Sequence, residues 1–251
     1  MLRTISVYAY LAGYLLFSGP LRARHRKLEQ EDCFTQQWES QRAVQKALGK
    51  IIKLSGVELT VKGQEHIPED QAVLYVANHR SYFDIVTGYV AVKNKMGFVG
   101  KEELKGVPML GEWMRLTGSL FLNRKDIRQG LQTILTGIER VKTGTSIWIF
   151  PEGTRNENED ICELLPFHEG SLKIAEKSGC PVIPVAITGT REVYEKPFPW
   201  IRPGKVTIEF GEPIYIKELP AEQKKHAGAY TRERIAELLK KEQCLRQQGQ
   251  E

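Results

Sequence analysis

Cysteine is sparse and unpatterned in this sequence: Cys33, Cys162, Cys180 and Cys244 lie far apart, and no Cys-x-x-Cys pair occurs. That excludes a disulfide-stapled scaffold and offers no zinc-ligand spacing, so the thiols read as scattered side chains in a reducing compartment and no metal is called for. A Gly-x-Ser-x-Gly elbow is also missing, which speaks against a serine hydrolase of the common α/β kind. Repeats and low-complexity tracts are lacking, although the polar end, residues 246–251, is expected to fray. No unbroken apolar run reaches the roughly 20 residues that a helix needs to cross a bilayer.

What is present is ordinary globular material, with 41% hydrophobic and 27% charged residues in 251, enough for one sizeable domain with a proper core. The net charge of +5 draws the chain toward anionic surfaces, whether nucleic acid, phospholipid headgroups or phosphorylated metabolites. Nucleic acid is disfavoured, because the N-terminal basic cluster follows an apolar helix and no fold-specific motif appears.

That N-terminal segment is the anomaly of the sequence. Residues 5–17 are uncharged and carry three tyrosines, and Arg22, Arg24, Arg26 and Lys27 follow closely. Counted on to Leu21 the run is still short for a span and is broken by Gly19-Pro20, so an interfacial or half-inserted helix and a true span stand as equals. A signal peptide fits poorly: only Arg3 precedes the run, Ser18-Gly19-Pro20 makes a weak cleavage site, and the basic cluster opposes export. A buried core helix is disfavoured by the long polar stretch before the next apolar pattern. Residues 1–30 are therefore expected to form a membrane anchor or interfacial helix with a basic flank. If the segment spans, four basic residues after it against Arg3 before it put the rest of the chain on the cytoplasmic face of the cell membrane.

From about residue 34 to 54 the apolar side chains Phe34, Trp38, Val44, Ala47, Leu48, Ile51 and Ile52 recur at helical spacing, and Gly56 ends the pattern. Short apolar runs then alternate with helical stretches: 57–61, 72–77, 97–100, 119–122, 146–150, 182–188 and 205–210. Between two of them lies the clearest helix, with Asp126 as N-cap, one face of Ile127, Leu131, Ile134, Leu135, Ile138 and Val141, and Gly144 past its end. Strands alternating with helices predict a single α/β domain with a mostly parallel central sheet flanked by helices. In such sheets ligands sit beyond the carboxyl ends of the strands, which directs attention to the loops after Ala77, Leu122 and Phe150.

The first of these loops opens with Asn78-His79, and Asp84 follows five residues after the histidine. Positions five apart on a helix lie about 140° apart around its axis, so the two cannot share a face of one helix. His79 must sit in the turn before a helix that has Asp84 in its first turn, where the carboxylate can fold back, fix the imidazole tautomer and leave the other nitrogen as a base. Ser81 is a natural cap in that turn. The other two loops place Arg124 and Arg155 at strand ends, the latter after Glu152 and the flexible Gly153; guanidinium forks suit a phosphate, and a glycine permits close backbone approach.

Taken together these segments resemble the PlsC-like glycerolipid acyltransferases, typified by 1-acylglycerol-3-phosphate acyltransferase. Asn78 through Asp84 matches the Asn-His-x4-Asp block, Gly118 through Arg124 the Gly-x-x-Phe-x-x-Arg block, and Phe150 through Arg155 the Phe-Pro-Glu-Gly-Thr-Arg block. Val182-Ile183-Pro184-Val185 is similar to a fourth, apolar block, and Lys101-Glu102-Glu103-Leu104 to the Lys-x-Glu-Leu stretch. The blocks cover about residues 67–187 of a domain expected over 31–245. The resemblance implies direct acyl transfer, with His79 taking a proton from an acceptor hydroxyl that attacks an acyl thioester and Asp84 orienting the histidine. It further implies a lysophospholipid acceptor, an acyl-CoA or acyl-carrier-protein donor, a membrane surface and no cofactor. Arg124, Glu152, Gly153, Thr154 and Arg155, with Lys101, would hold the acceptor, and Pro184 would wall the acyl chain. Asn78, Ser81, Gly118 and Phe121 are assigned to substrate binding by the same blocks. One departure stands out: where the family has basic residues between a phenylalanine and a glycine, this chain has Phe167-His168-Glu169-Gly170, which bears on acceptor preference. A second departure from routine is the proline-held loop of Phe198, Trp200 and Ile201 flanked by Lys196 and Lys205, which either dips into the interface or turns its aromatics inward.

Overall fold

The computed structural model describes residues 1–248. The chain begins with α1 (Leu2–Phe17), α2 (Gly19–Glu31) and α3 (Cys33–Ser55). It continues with β1 (Val57–Lys62), β2 (Leu74–Ala77), α4 (Phe83–Ala91), β3 (Met96–Lys101), α5 (Leu110–Leu116), β4 (Leu120–Leu122), α6 (Ile127–Lys142) and β5 (Ser146–Ile149). It closes with α7 (Lys173–Ser178), β6 (Val182–Thr188), α8 (Thr190–Val193), β7 (Gly204–Phe210), α9 (Ala221–Lys225) and α10 (Ala227–Gln248). Every apolar run predicted as a strand forms one, with ends that differ by a residue or two, as strand ends do.

The seven strands form one sheet in the order β1-β7-β6-β2-β5-β3-β4. From β6 across to β4 all neighbours run parallel, whereas β7 is antiparallel to β6 and β1 is parallel to β7. Side chains alternate between two covered faces. Leu74, Val76, Ile147, Ile149 and Val182 pack with Val141 of α6, Ile174 of α7, and Ile235 and Leu239 of α10. Tyr75, Ala77, Trp148, Ile183 and Val185 pack on the opposite side with Tyr89 of α4, and Val44 and Leu48 of α3 lean against that cluster. Burial on both faces is why these strands read as unbroken apolar runs rather than alternating ones.

Helix α3 begins where Asp32 accepts hydrogen bonds from the N–H groups of Phe34 and Thr35, both at 3.0 Å, and ends at Gly56 with φ of 70°. Its glutamines satisfy main-chain groups around the sheet: Gln36 donates to the Leu116 carbonyl at 2.9 Å, and Gln41 accepts from Met96 N–H at 2.8 Å while donating to the Asn94 carbonyl at 2.8 Å. Asp126 caps α6 as predicted, accepting from Arg128 and Gln129 N–H at 2.9 and 3.1 Å.

The N-terminal segment does not stand apart from the domain. Val7 is buried with Ile51, Ile52 and Val57, Thr4 accepts the Ile201 N–H at 2.9 Å, and the buried His25 ring bonds Ser40 at 3.0 Å. Among the described residues no single helix is long and apolar enough to cross a membrane; α1 and α2 have the length and composition only as a pair, bent by 51°. The polar stretch that argued against packing is α2 itself, an ion-paired helix: Arg22 and Arg26 reach Glu112 at 2.7 and 2.9 Å and Arg24 reaches Glu39 at 3.2 Å. Three of the four flanking basic residues are thus engaged within the protein. At the other end, residues 246–248 do not fray but complete α10, where Arg246 donates to Glu242 at 3.2 Å and to Thr188 at 2.6 Å, so the domain runs past 245. The remainder of the expected frayed tail, residues 249–251, lies outside the described residues.

Candidate active site

The turn between β2 and α4 is held from three sides. Asn78 is buried and clasps β6, its amide donating to the Ile187 carbonyl at 3.0 Å and its oxygen accepting the Ile187 N–H at 2.8 Å. It braces the strand end. Ser81, fully buried, accepts the Phe83 N–H at 2.9 Å and thereby supplies the capping contact expected of it. Glu152, after β5, accepts the His79 N–H at 2.8 Å with one oxygen and the Leu165 N–H at 3.0 Å with the other. Burial pushes the Glu152 carboxyl above its ordinary range, against the pull of those two N–H donors. Both contacts fix the main chain under His79 and after it.

Asp84 is the second residue of α4 and wholly buried. One oxygen collects three donors: His79 Nδ1 at 2.9 Å, Arg80 N–H at 2.7 Å and Ser81 N–H at 2.8 Å. The other accepts the Thr190 hydroxyl at 2.6 Å. With Nδ1 turned to a carboxylate, the proton of the neutral imidazole sits there and Nε2 carries the lone pair. Nε2 has no hydrogen-bond partner among the described residues, and the ring stacks on Phe150 with centroids 4.1 Å apart. A base with a fixed tautomer and an open nitrogen is the chemical content of the site.

The arginines approach the same turn by way of its supports. Arg124 donates to the Gly153 carbonyl, and Gly153 adopts φ of 76°, a conformation that glycine tolerates and other residues resist. Arg155 lies over the Tyr82 ring, 4.3 Å from its centroid, and pairs with Glu195 at 3.2 Å. Glu195 also accepts the Tyr82 N–H at 2.8 Å, and burial raises its carboxyl. Beside Phe150 and Arg124 lies a cavity of about 320 Å³ whose walls include Leu122, Ile134, Ile149 and Ile174, with His168 at its edge.

A family model described as acyltransferase matches residues 58–188, more than half of the chain, including the loops after β2, β4 and β5. The chain belongs to the acyltransferase family. It is 32% identical over 199 residues to the 1-acyl-sn-glycerol-3-phosphate acyltransferase of Haemophilus influenzae, covering 76% of this chain and 79% of that protein. To the 1-acyl-sn-glycerol-3-phosphate acyltransferase of Saccharomyces cerevisiae it is 28% identical over 76% of this chain and 63% of the yeast protein. Among solved structures, the 1-acyl-sn-glycerophosphate acyltransferase PlsC of Thermotoga maritima superposes with a TM-score of 0.81 at 28% identity, over 96% of this chain and 95% of that one.

As an acyltransferase, the chain brings together His79, Asp84, Phe150, Glu152, Gly153 and Arg124, with Arg155 joined to the same turn through Tyr82 and Glu195. Lys101 and Thr154 are exposed, Lys101 at the carboxyl end of β3 beside the end of β4. Three sequence assignments fall elsewhere. Gly118 sits at the amino end of β4, away from the loops, with φ of 79°; a Cβ there would come within 2.0 Å of the Gln37 amide, so packing under α3 requires the glycine. Phe121 lies within β4 and offers its carbonyl to Gln129 and Thr133 of α6. Pro184 faces α10 and lines a groove with Gly211 and Leu238, so it does not wall the cavity beside Phe150. Sequence reasoning passed over Thr190 and Glu195. Thr190 stands two residues beyond the carboxyl end of β6, a position the same strand-end rule singles out.

Proposed function

We propose that the protein transfers a fatty acyl group from an acyl-CoA or acyl-carrier-protein thioester to the sn-2 hydroxyl of 1-acylglycerol-3-phosphate, giving phosphatidic acid. The observation that carries this reading is the His79–Asp84 pair with its open Nε2. The acceptor hydroxyl gives its proton to Nε2 as its oxygen bonds to the thioester carbonyl carbon. The carbon–sulfur bond then breaks, and the leaving thiolate takes the proton from the imidazolium, so the thiol departs and His79 is neutral again. Arg124 and Arg155 supply charge for the acceptor phosphate, and the apolar cavity beside Phe150, rather than Pro184, suits the acyl chain. No cofactor enters this scheme. The names carried by the relatives support the acceptor. Offering the purified protein 1-acylglycerol-3-phosphate, glycerol-3-phosphate and other lysophospholipids with an acyl-CoA or acyl-carrier protein tests it: the first is expected to be acylated fastest. Preference for another acceptor would overturn the substrate, and free fatty acid with no acylated product would point to a hydrolase.

The reading includes work at a membrane surface, with the active site facing the cytoplasm. Ile5, Leu16 and Phe17 are 54, 62 and 84% exposed on α1, and Phe198 and Trp200 are 66 and 47% exposed, while Ile201 is buried. These two features adjoin: the Tyr8 hydroxyl donates to the Pro199 carbonyl at 3.0 Å. An aromatic path leads back to the site, from Phe198 to Tyr194 at 5.7 Å and on to Tyr82 at 6.3 Å. Each large apolar side chain buried contributes about 2 kcal/mol, so Leu16→Glu with Phe17→Glu is expected to weaken co-sedimentation with phospholipid vesicles at least about tenfold. Undiminished binding would place the membrane contact elsewhere. Deleting residues 1–27 is a poorer test, because Thr4, Val7 and His25 belong to the packed domain.

A further inference from the structure

Arg80 follows the catalytic histidine in the chain, yet its side chain takes no part in the scheme above. It is 6% exposed. One terminal nitrogen donates to the Asn158 carbonyl, Nε is buried with no partner, and no carboxylate lies within ion-pairing distance among the described residues. Buried cations are ordinarily paired and buried N–H groups are ordinarily hydrogen-bonded, so this arrangement lacks something. Burial, and then the neighbouring Arg191, pull the Arg80 pKa down against the opposing charges of Glu192, Glu159 and Asp84, none of which is close enough to pair with it.

Arg80 lines a cavity of about 180 Å³, together with Thr188, Gly189, Thr190, Arg191 and Arg246. The three guanidinium groups come from the turn before α4, from α8 and from α10. Arg191 pairs with Glu159 at 3.1 Å, and Arg246 with Glu242 at 3.2 Å and the Thr188 hydroxyl at 2.6 Å. Glu159 and Glu192 also line the cavity, but they are 76 and 57% exposed and share Lys196, at 3.3 and 3.5 Å. The space is several times the roughly 10–15 Å³ that one water needs by the same measure, room for a tetrahedral oxyanion. It shares no lining residue with the cavity beside Phe150 and Arg124.

We infer that this cavity is a second anion site, built to take a phosphate group behind the catalytic pair. Arginine forks and threonine hydroxyls suit that chemistry, and an oxyanion there supplies the partner that Arg80 lacks. Two of the lining residues hold Asp84: Arg80 through its main-chain N–H and Thr190 through its hydroxyl. Occupancy therefore stiffens the support of the general base. The phosphate is either one carried by the acyl donor, which rests on the acyl-transfer reading, or free inorganic phosphate, which does not.

The test needs no turnover, so it stands or falls apart from the reaction. Thermal unfolding of the full chain is followed with inorganic phosphate against chloride at matched ionic strength. Phosphate is expected to raise the melting temperature of the wild type and of Arg124→Gln. Arg191→Gln should weaken the apparent affinity at least about tenfold, as loss of a charge-assisted contact does. Arg80→Met should lose the response while being no less stable than the wild type without phosphate, because an unpaired buried charge has been removed. No response in the wild type, or one lost in Arg124→Gln and kept in Arg191→Gln, overturns the site. Adenosine 3′,5′-bisphosphate distinguishes the sources: tighter binding than phosphate at the same arginines assigns the donor, and equal or weaker binding assigns the free anion.

Discussion

Replacing His79 by alanine should reduce the acylation rate by about 10²- to 10⁴-fold, the range that a positioned general base contributes, while the protein still folds. The fold should survive because Asp84 keeps three of its four donors, the Arg80 and Ser81 N–H groups and the Thr190 hydroxyl. The imidazole itself packs on Phe150 at the edge of the site and is 14% exposed. Loss of a proton acceptor that acts only in the transition state lowers kcat, and KM for the acceptor should change little because Arg124 and Arg155 are untouched. An effect confined to KM would make His79 a binding residue and remove it from the chemistry.

Asp84→Asn should cost about 10²-fold or more in kcat, for a different reason. An asparagine fits the same space if its oxygen takes the position that accepts the His79, Arg80 and Ser81 donors, because the Thr190 hydroxyl can turn to accept from the amide. The turn then keeps its shape, but the ring donates to a neutral group. What is lost is the carboxylate that stabilises the imidazolium formed when the acceptor proton arrives, and charge-assisted bonds are roughly twice as strong as neutral ones. Thr190→Val removes one neutral donor from the same carboxylate and should fall between the wild type and Asp84→Asn. A kcat in Asp84→Asn equal to that of the wild type would show that the carboxylate does not stabilise the imidazolium.

How far these features could be read from the sequence depended on whether their cause is local. The strands were legible because β2, β5 and β6 are buried on both faces, and burial of that kind leaves continuous apolar runs such as residues 182–188. The His79–Asp84 relation was legible because it spans five residues and one turn. The partners of Asn78 and Glu152, Ile187 and Leu165 with His79, are fixed by sheet order and by a loop return that no linear spacing encodes. The same holds for Thr190, which meets Asp84 across 106 positions. At Gly118 a glycine required for packing under Gln37 looks in sequence like one required for substrate approach. The N-terminal segment was read as separate because α2 is polar, whereas its polarity is spent on Glu112 and Glu39 and on the buried contact between His25 and Ser40.

The most direct test of the central claim follows thiol release and phosphatidic acid in one reaction, with 1-acylglycerol-3-phosphate and either an acyl-CoA or an acyl-carrier protein. Direct transfer through an open His79 Nε2 requires one phosphatidic acid for every thiol, and both should vanish together in His79→Ala. Thiol released with free fatty acid in place of phosphatidic acid, or phosphatidic acid still formed at the wild-type rate by His79→Ala, would contradict it.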